Sequence, residues 1–315
     1  MSFSLYDTLW SIPSRKHRDI LWLLHHPNLL ENIPDLDCVS TEDKRQWLEH
    51  SLPWLVENAK YPEILESSLQ GTRQHKLGVY AENLLLYYLR WSSPFRLIEH
   101  DLQIFTEKTV EQPNKRSIGA LDFLIETPNT EIEHWEMTIK YYLHHHLHPH
   151  LPINHPAQYI GPDGKDSLHN KLEKLRSHQL PLGSNPRSLQ TFAEMGIQAP
   201  IRSRLFHTGM FFAQWQKKFP IPEHCSSLQP TGTWIHKKDF IMQFHSSSKR
   251  WAVRTHPNWL APILSPQGEN IVDAIEVMEH PMDWQKFIMV AEMQRCPKGW
   301  QEVHRWVLVE DDWVQ

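Results

Sequence analysis

Between Leu77 and Leu143 the spacing of apolar residues changes from a helical to a strand period, and that switch constrains the fold more than any other property of the chain. Leu77, Tyr80, Ala81, Leu84, Leu85 and Tyr88 fall on one face of a helix predicted over residues 75–91. Phe95–Phe105, Ile118–Glu126 and Glu133–Leu143 then read as strands. Glu111-Gln112-Pro113-Asn114-Lys115 and Thr127-Pro128-Asn129-Thr130 separate them, and each carries the Pro and Asn of a tight connection. A looser His- and Pro-rich loop runs from His144 to Pro162. After it, Asp166-Ser167-Leu168 opens a helix bearing Leu168, Leu172 and Leu175. The expected order is helix, three strands, loop, helix, an α/β fold of mixed α+β type.

The flanks have other textures. Residues 1–70 read as a helical N-terminal extension, with amphipathic segments around Ile20–Leu24 and from Trp47 to Val56, punctuated by Pro27, Pro34, Pro53 and Pro62. Residues 201–315 carry short aromatic strand-like pieces: Met210–Trp215, Thr233–Phe244, Trp251–Thr255, Phe287–Gln294 and Trp300–Val309. Three units are therefore expected: 1–70, a core at 71–200 and a β-rich, Trp-containing C-terminal domain at 201–315. With 315 residues, 40% of them hydrophobic, and 14 tryptophans, the chain can bury a sizeable core, which excludes wholesale disorder.

Cys38, Cys225 and Cys296 are too few and too scattered for a disulfide framework or a thiolate zinc site. That suits a reducing cytoplasm. The start, Met1-Ser2-Phe3-Ser4-Leu5-Tyr6-Asp7, lacks the basic and apolar regions of a signal peptide, and no long apolar run predicts a membrane span. A cytoplasmic protein is expected. Net charge is −5 but unevenly spread. Residues 201–260 hold nine Lys and Arg, including Lys237, Lys238, Lys249 and Arg250, against Glu223 and Asp239, whereas residues 1–70 and 261–315 are acidic. Such a basic stretch is either a solvated face or a field that attracts a polyanion, which makes nucleic acid a candidate partner.

On the third strand, His134, Glu136, Thr138, Lys140 and Tyr142 project to one side, and Trp135, Met137, Ile139, Tyr141 and Leu143 project to the other, core-facing side. On the second strand, Asp122 shares its side with Ile118, Ala120 and Leu124, where a charged carboxylate is costly unless paired or metal-bound. Antiparallel pairing across the 127–132 turn would set Asp122 beside Glu136, and a divalent cation is the simplest way to stabilise two such acids. Hard oxygen ligands point to Mg²⁺ (or Mn²⁺), able to acidify a water and neutralise phosphate charge. Lys140 would orient that water or stabilise the pentacovalent state, Glu82 would reach in from the preceding helix to hold the metal or a further water, and Gln103 is a polar candidate at the same edge. Lys171 and Gln179, on the covering helix and just beyond it, are candidate substrate contacts, as are Lys237 and Lys238. The same residues also fit an ordinary exposed Glu136–Lys140 pair, with Asp122 bonded to backbone amides. The histidines His144, His145, His146, His148, His150 and His155 lie in a loop that does not fix ligand spacing.

The segments Leu77-Gly78-x-Tyr80-x-Glu82, Gly119-Ala120-Leu121-Asp122-Phe123, His134-Trp135-Glu136-x-x-x-Lys140-x-Tyr142, Asp166-x-Leu168-x-x-Lys171-Leu172 and His178-Gln179-Leu180 together resemble an uncharacterised bacterial domain-of-unknown-function family. The resemblance covers about residues 75–315. That family in turn resembles the PD-(D/E)xK nuclease superfamily, with its restriction-endonuclease-like core of helix, three strands, helix and strand. The resemblance implies metal ligands at Asp122, Glu136 and Glu82, with Lys140 as the catalytic lysine. Leu121 stands in place of the superfamily's proline, and the acid and lysine are spaced E-x-x-x-K. The function implied is a Mg²⁺-dependent phosphodiesterase acting on DNA or RNA. The alternatives are a catalytically inactive nuclease-fold protein that binds nucleic acid or protein, and metal-assisted hydrolysis of a small phosphorylated molecule.

Overall fold

The computed structural model describes residues 5–31, 33–72, 76–107, 116–226, 230–255, 257–280 and 287–314. The expected connection at Glu111–Lys115 lies outside these residues. Five helices come first: α1 (Leu5–Ser11), α2 (Arg15–His25), α3 (Thr41–Asn58), α4 (Pro62–Ser68) and α5 (Leu77–Trp91). Ser40 starts α3 with a reciprocal cap, its hydroxyl accepting from the Asp43 N–H and its own N–H donating to the Asp43 carboxylate. Pro53 was expected to interrupt this region but lies inside α3, and Pro62 occupies the first turn of α4, where its missing N–H costs nothing.

The strands follow: β1 (Arg96–Phe105), β2 (Ser117–Glu126), β3 (Ile132–His144), β4 (Tyr159–Ile160), β5 (Ile201–Gln214), β6 (Thr231–His236), β7 (Arg250–Val253), β8 (Leu264–Ser265), β9 (Phe287–Cys296) and β10 (Gly299–Val309). Helices α6 (Leu168–Lys174) and α7 (Pro186–Glu194) lie between β4 and β5, α8 (Lys237–Phe244) follows β6, and α9 (Ala274–Glu279) precedes β9. The segment Thr233–Phe244, read as one strand, is the end of β6 followed by α8.

The ten strands of the described residues form one mixed sheet with the path β1-β2-β3-β5-β6-β10-β9-β7, with β4 on β3 and β8 on β10. β3 and β5 run parallel from Ile132↔Ile201 to Leu143↔Phe212, while β1, β2 and β3 are antiparallel. Residues 71–200 and 201–315 were expected to form separate units, yet their strands hydrogen-bond in this one sheet. The arrangement requires backbones to approach closely at Gly209, which pairs with Lys140. Gly209 has φ +154°, and a Cβ there would lie 1.8 Å from the Lys140 carbonyl.

β3 is covered on both faces. Trp135, Met137, Ile139, Tyr141 and Leu143 join the main core with Tyr80, Ala81, Leu84 and Tyr88 of α5. Tyr142 packs with Leu168, Leu172 and Leu175 on the opposite side. The central strand of a layered α/β fold is buried in this way. Among the described residues no helix is long and apolar enough to cross a membrane.

Candidate functional site

The turn after β2 is closed by Thr127 N–H to the Glu131 carbonyl (2.8 Å) and Thr130 N–H to the Thr127 carbonyl (2.9 Å), with Thr130 at φ +65°. This sets the register Glu126↔Ile132 through Phe123↔Trp135, and there the ladder stops. The next step would place Asp122 opposite Glu136. Instead the Asp122 Oδ2 accepts the Met137 N–H at 2.7 Å, taking the place of a backbone carbonyl as the strands part. The alternation of β2 also slips here. Leu121 joins the cluster of Leu124, whereas Phe123 and Ile125 face the main core, so Asp122 does not simply share a face with Ala120 and Leu124 as expected. Opposite the slip, Asp101 of β1 has φ +54°.

A cavity of about 510 Å³ opens in the fork between β2 and β3. Because the sheet is interrupted, both covering layers reach it. Glu82, Asp122, Glu136, Lys140 and Gln179 all line it, with Leu77 and Gly78 of α5 and Asp163 and Asp166 of the loop before α6. Glu136 is 3% exposed and accepts a hydrogen bond from Gln179 Nε2. Gln179 Oε1 in turn accepts from Lys171 Nζ at 2.7 Å. Ser167 caps α6 by accepting the Asn170 N–H, and a π-helical turn, Leu175–Gln179, widens the end of the helix and delivers Gln179 to this position.

Burial dominates the electrostatics. It pushes the Glu136 carboxyl up to about 8, with the Asp122 charge adding to the rise and Lys171 opposing it. Burial likewise raises Asp122 to about 6, opposed by the Met137 N–H and reinforced by Glu82. Lys171 is lowered to about 8 by desolvation, against the pull of Glu136. Two acids held against ionisation and a lysine held against protonation thus influence one another across the fork.

The remaining sequence candidates are placed as follows. Lys140 lines the cavity but donates to Asp166 Oδ2 at 2.6 Å, so it pairs with neither Glu136 nor Asp122. The Glu82 carboxylate meets His100 Nε2 at 2.9 Å. Gln103 lies outside the cavity on exposed β1, bonded to Asp101 (2.7 Å) and Ser117 (3.3 Å). Lys237 and Lys238 begin α8, also outside it; Lys237 pairs with Glu310, and the Lys238 N–H reaches Asp311. Lys249 pairs with Glu292, Arg202 with Asp37, Arg254 with Glu302, and Arg204 with Asp37, Asp43 and Glu133. Much of the basic stretch is thus matched to acids from the two acidic flanks. His144 Nε2 donates to the Ile153 carbonyl, and His145 stacks on Trp234.

Among the described residues no three His, Cys, Asp or Glu side chains are gathered to hold an ion. The expected trio with Glu82 is therefore not assembled. Asp122, half-buried, and Glu136, buried, remain as two hard oxygen donors. A Mg²⁺ ion is held by one or two carboxylates plus waters and substrate phosphate, so this donor set fits it.

Fold and site together define a mixed α/β protein with a buried carboxylate–lysine cleft in its central sheet. The chain belongs to the family described as Domain of unknown function (DUF1853), whose model matches residues 18–309. No curated protein and no solved structure matches it.

Proposed function

We propose that this protein is a PD-(D/E)xK-like, Mg²⁺- or Mn²⁺-dependent phosphodiester hydrolase acting on DNA or RNA. The observation that carries the reading is the fork itself, where Asp122 and Glu136 line one cavity at the point where β2 and β3 separate and Glu136 accepts from Gln179, which Lys171 holds in turn. The order α5, β1, β2, β3, α6, β5, with β5 parallel to β3, supports a restriction-endonuclease-like core. Held by Asp122 and Glu136, the ion would supply an acidified water and neutralise phosphate charge. Gln179 fixes the Glu136 carboxylate, and Lys171 supplies the nearby positive charge for the developing phosphorane, a role the sequence had assigned to Lys140. Lys140 and Asp166 form an ion pair on the cavity wall that orients substrate.

Labelled oligonucleotides incubated with Mg²⁺ test the proposal. Cleavage is expected from the wild type and lost in Asp122→Asn, Glu136→Gln and Lys171→Met; undiminished cleavage by all three would refute it. The ungathered Glu82 favours a second reading, a non-catalytic nuclease-fold binding module. Metal-independent nucleic-acid binding without cleavage would select it.

A further inference from the structure

Between Asp122 and β4 the edge of β3 has no strand beside it among the described residues, and the strand's parity fixes which groups look out. The Met137 N–H goes to Asp122, Leu143 pairs with Ile160, and the His145 N–H reaches the Gln158 carbonyl at 2.8 Å. Odd-numbered residues therefore direct their backbone groups to this side. Ile139 and Tyr141 lie between these points and line the cavity, and no strand pairs with them there among the described residues. Beside them are Trp259 and Phe287, 6% and 8% exposed, with ring centroids 5.4 Å apart. Tyr142 also lines the cavity, and its buried hydroxyl has no hydrogen-bond partner among the described residues. One end of the cavity is thus ionic, and the other is aromatic with main-chain donors and acceptors.

We propose, building on the hydrolase reading, that the cavity takes one unpaired nucleotide unit. Its base packs on Trp259 and Phe287, with its polar edge on the backbone of Ile139 and Tyr141 and its phosphate toward Asp122 and Glu136. An aromatic surface accepts any base, because every base has a π face. Adjacent N–H and C=O groups match the edge of a base freed from pairing. A cavity of about 510 Å³ holds a nucleotide-sized ligand but no base pair. Besides Glu136, four acids line it (Glu82, Asp122, Asp163 and Asp166) against Lys140, so without a cation the phosphate is repelled and the nucleoside carries the affinity.

Calorimetric titration with adenosine in EDTA tests this, compared with AMP, a single-stranded oligonucleotide and a blunt duplex in Mg²⁺. The blocking variant is Gly78→Trp. Gly78 lies in the first turn of α5 on the cavity wall, and a Cβ there meets no atom within 4 Å, so the variant is expected to fold. Adenosine is expected to bind the wild type without metal and at least tenfold more weakly to Gly78→Trp at unchanged Tm. The single strand is expected to bind at least tenfold better than the duplex. AMP binding as tightly as the oligonucleotide would identify a free nucleotide as the ligand and support the proposal. No adenosine binding, equal binding to Gly78→Trp, or equal affinity for the duplex would overturn it. Adenosine binding without any cleavage would sink the hydrolase reading alone.

Discussion

Replacing Glu136 by Gln should make the ion-free protein more stable at pH 7, because the carboxyl is held where ionisation is opposed. Glu136 is almost fully buried, accepts from Gln179 and stands near Asp122, and its half-titration moves from 4.5 to about 8. The folded pKa lies above the unfolded one, so the folded state binds the proton more tightly. Stability from this group is intact below about pH 4.5 and declines as pH rises toward about 8. At 1.36 kcal/mol per pH unit, the loss at pH 7 is about 3 kcal/mol. Glutamine cannot ionise and still offers an oxygen to Gln179. Urea denaturation in EDTA at pH 4.5 and pH 7.5 should show the variant gaining about 3 kcal/mol relative to wild type between the two pH values. In thermal melts the gain is about 5 °C or more at pH 7.5, shrinking to near zero at pH 4.5. Equal wild-type and variant stability at both pH values, or a variant less stable at pH 7.5, would refute the reasoning that burial holds this carboxyl protonated.

Three other outcomes follow from packing and charge. Gly209→Ala forces a Cβ onto the Lys140 carbonyl at a left-handed φ and should cost about 3 kcal/mol or more, or abolish soluble expression; a Tm within 2 °C of wild type, on the order of 1 kcal/mol, would contradict it. Glu302 is buried between Arg254 and Arg305 and also accepts the Ile263 N–H, so Glu302→Gln strands two buried guanidinium groups at a cost of about 3–5 kcal/mol in urea denaturation. Neutralising Lys237, Lys238, Lys249 and Arg250 together should reduce the salt dependence of oligonucleotide binding by no more than about two phosphate contacts, since Lys237 and Lys249 already hold Glu310 and Glu292. A reduction near four would place all of them on the nucleic acid.

The helix and three strands of the core were legible because their information is local. A 3.6-residue period, then a period of 2 with a Pro-Asn turn at Thr127–Thr130, specify both elements and the register up to Phe123↔Trp135, beyond which Asp122 turns to the Met137 N–H beside Glu136. What was not legible depends on distant partners. Ile201–Thr208 begins β5, yet Arg202, Ser203 and Arg204 break its apolar pattern; their charges are absorbed by Asp37, Asp43 and Glu133, far away in sequence. The parallel β3–β5 ladder that merges the two halves has no local signal. Glu82, Asp122, Glu136 and Lys140 line one cavity, but with partners that no local pattern signals. Lys140 shares a strand face with Glu136, whereas Asp166 draws it away, and Lys171 reaches the acids through Gln179 only because of the π-helical turn. His100, the partner of Glu82, and the Arg254–Glu302–Arg305 cluster likewise emerge only when the strands are assembled.

The central claim is that Asp122 and Glu136 await a cation. Mg²⁺ titration by calorimetry at pH 7, repeated in two buffers of different ionisation enthalpy, counts the protons displaced. Ligation requires deprotonated carboxylates, so about one proton per ion should be released, chiefly from Glu136, and none from Glu136→Gln. Mg²⁺ binding without proton release, or with the same release from the variant, would contradict the account.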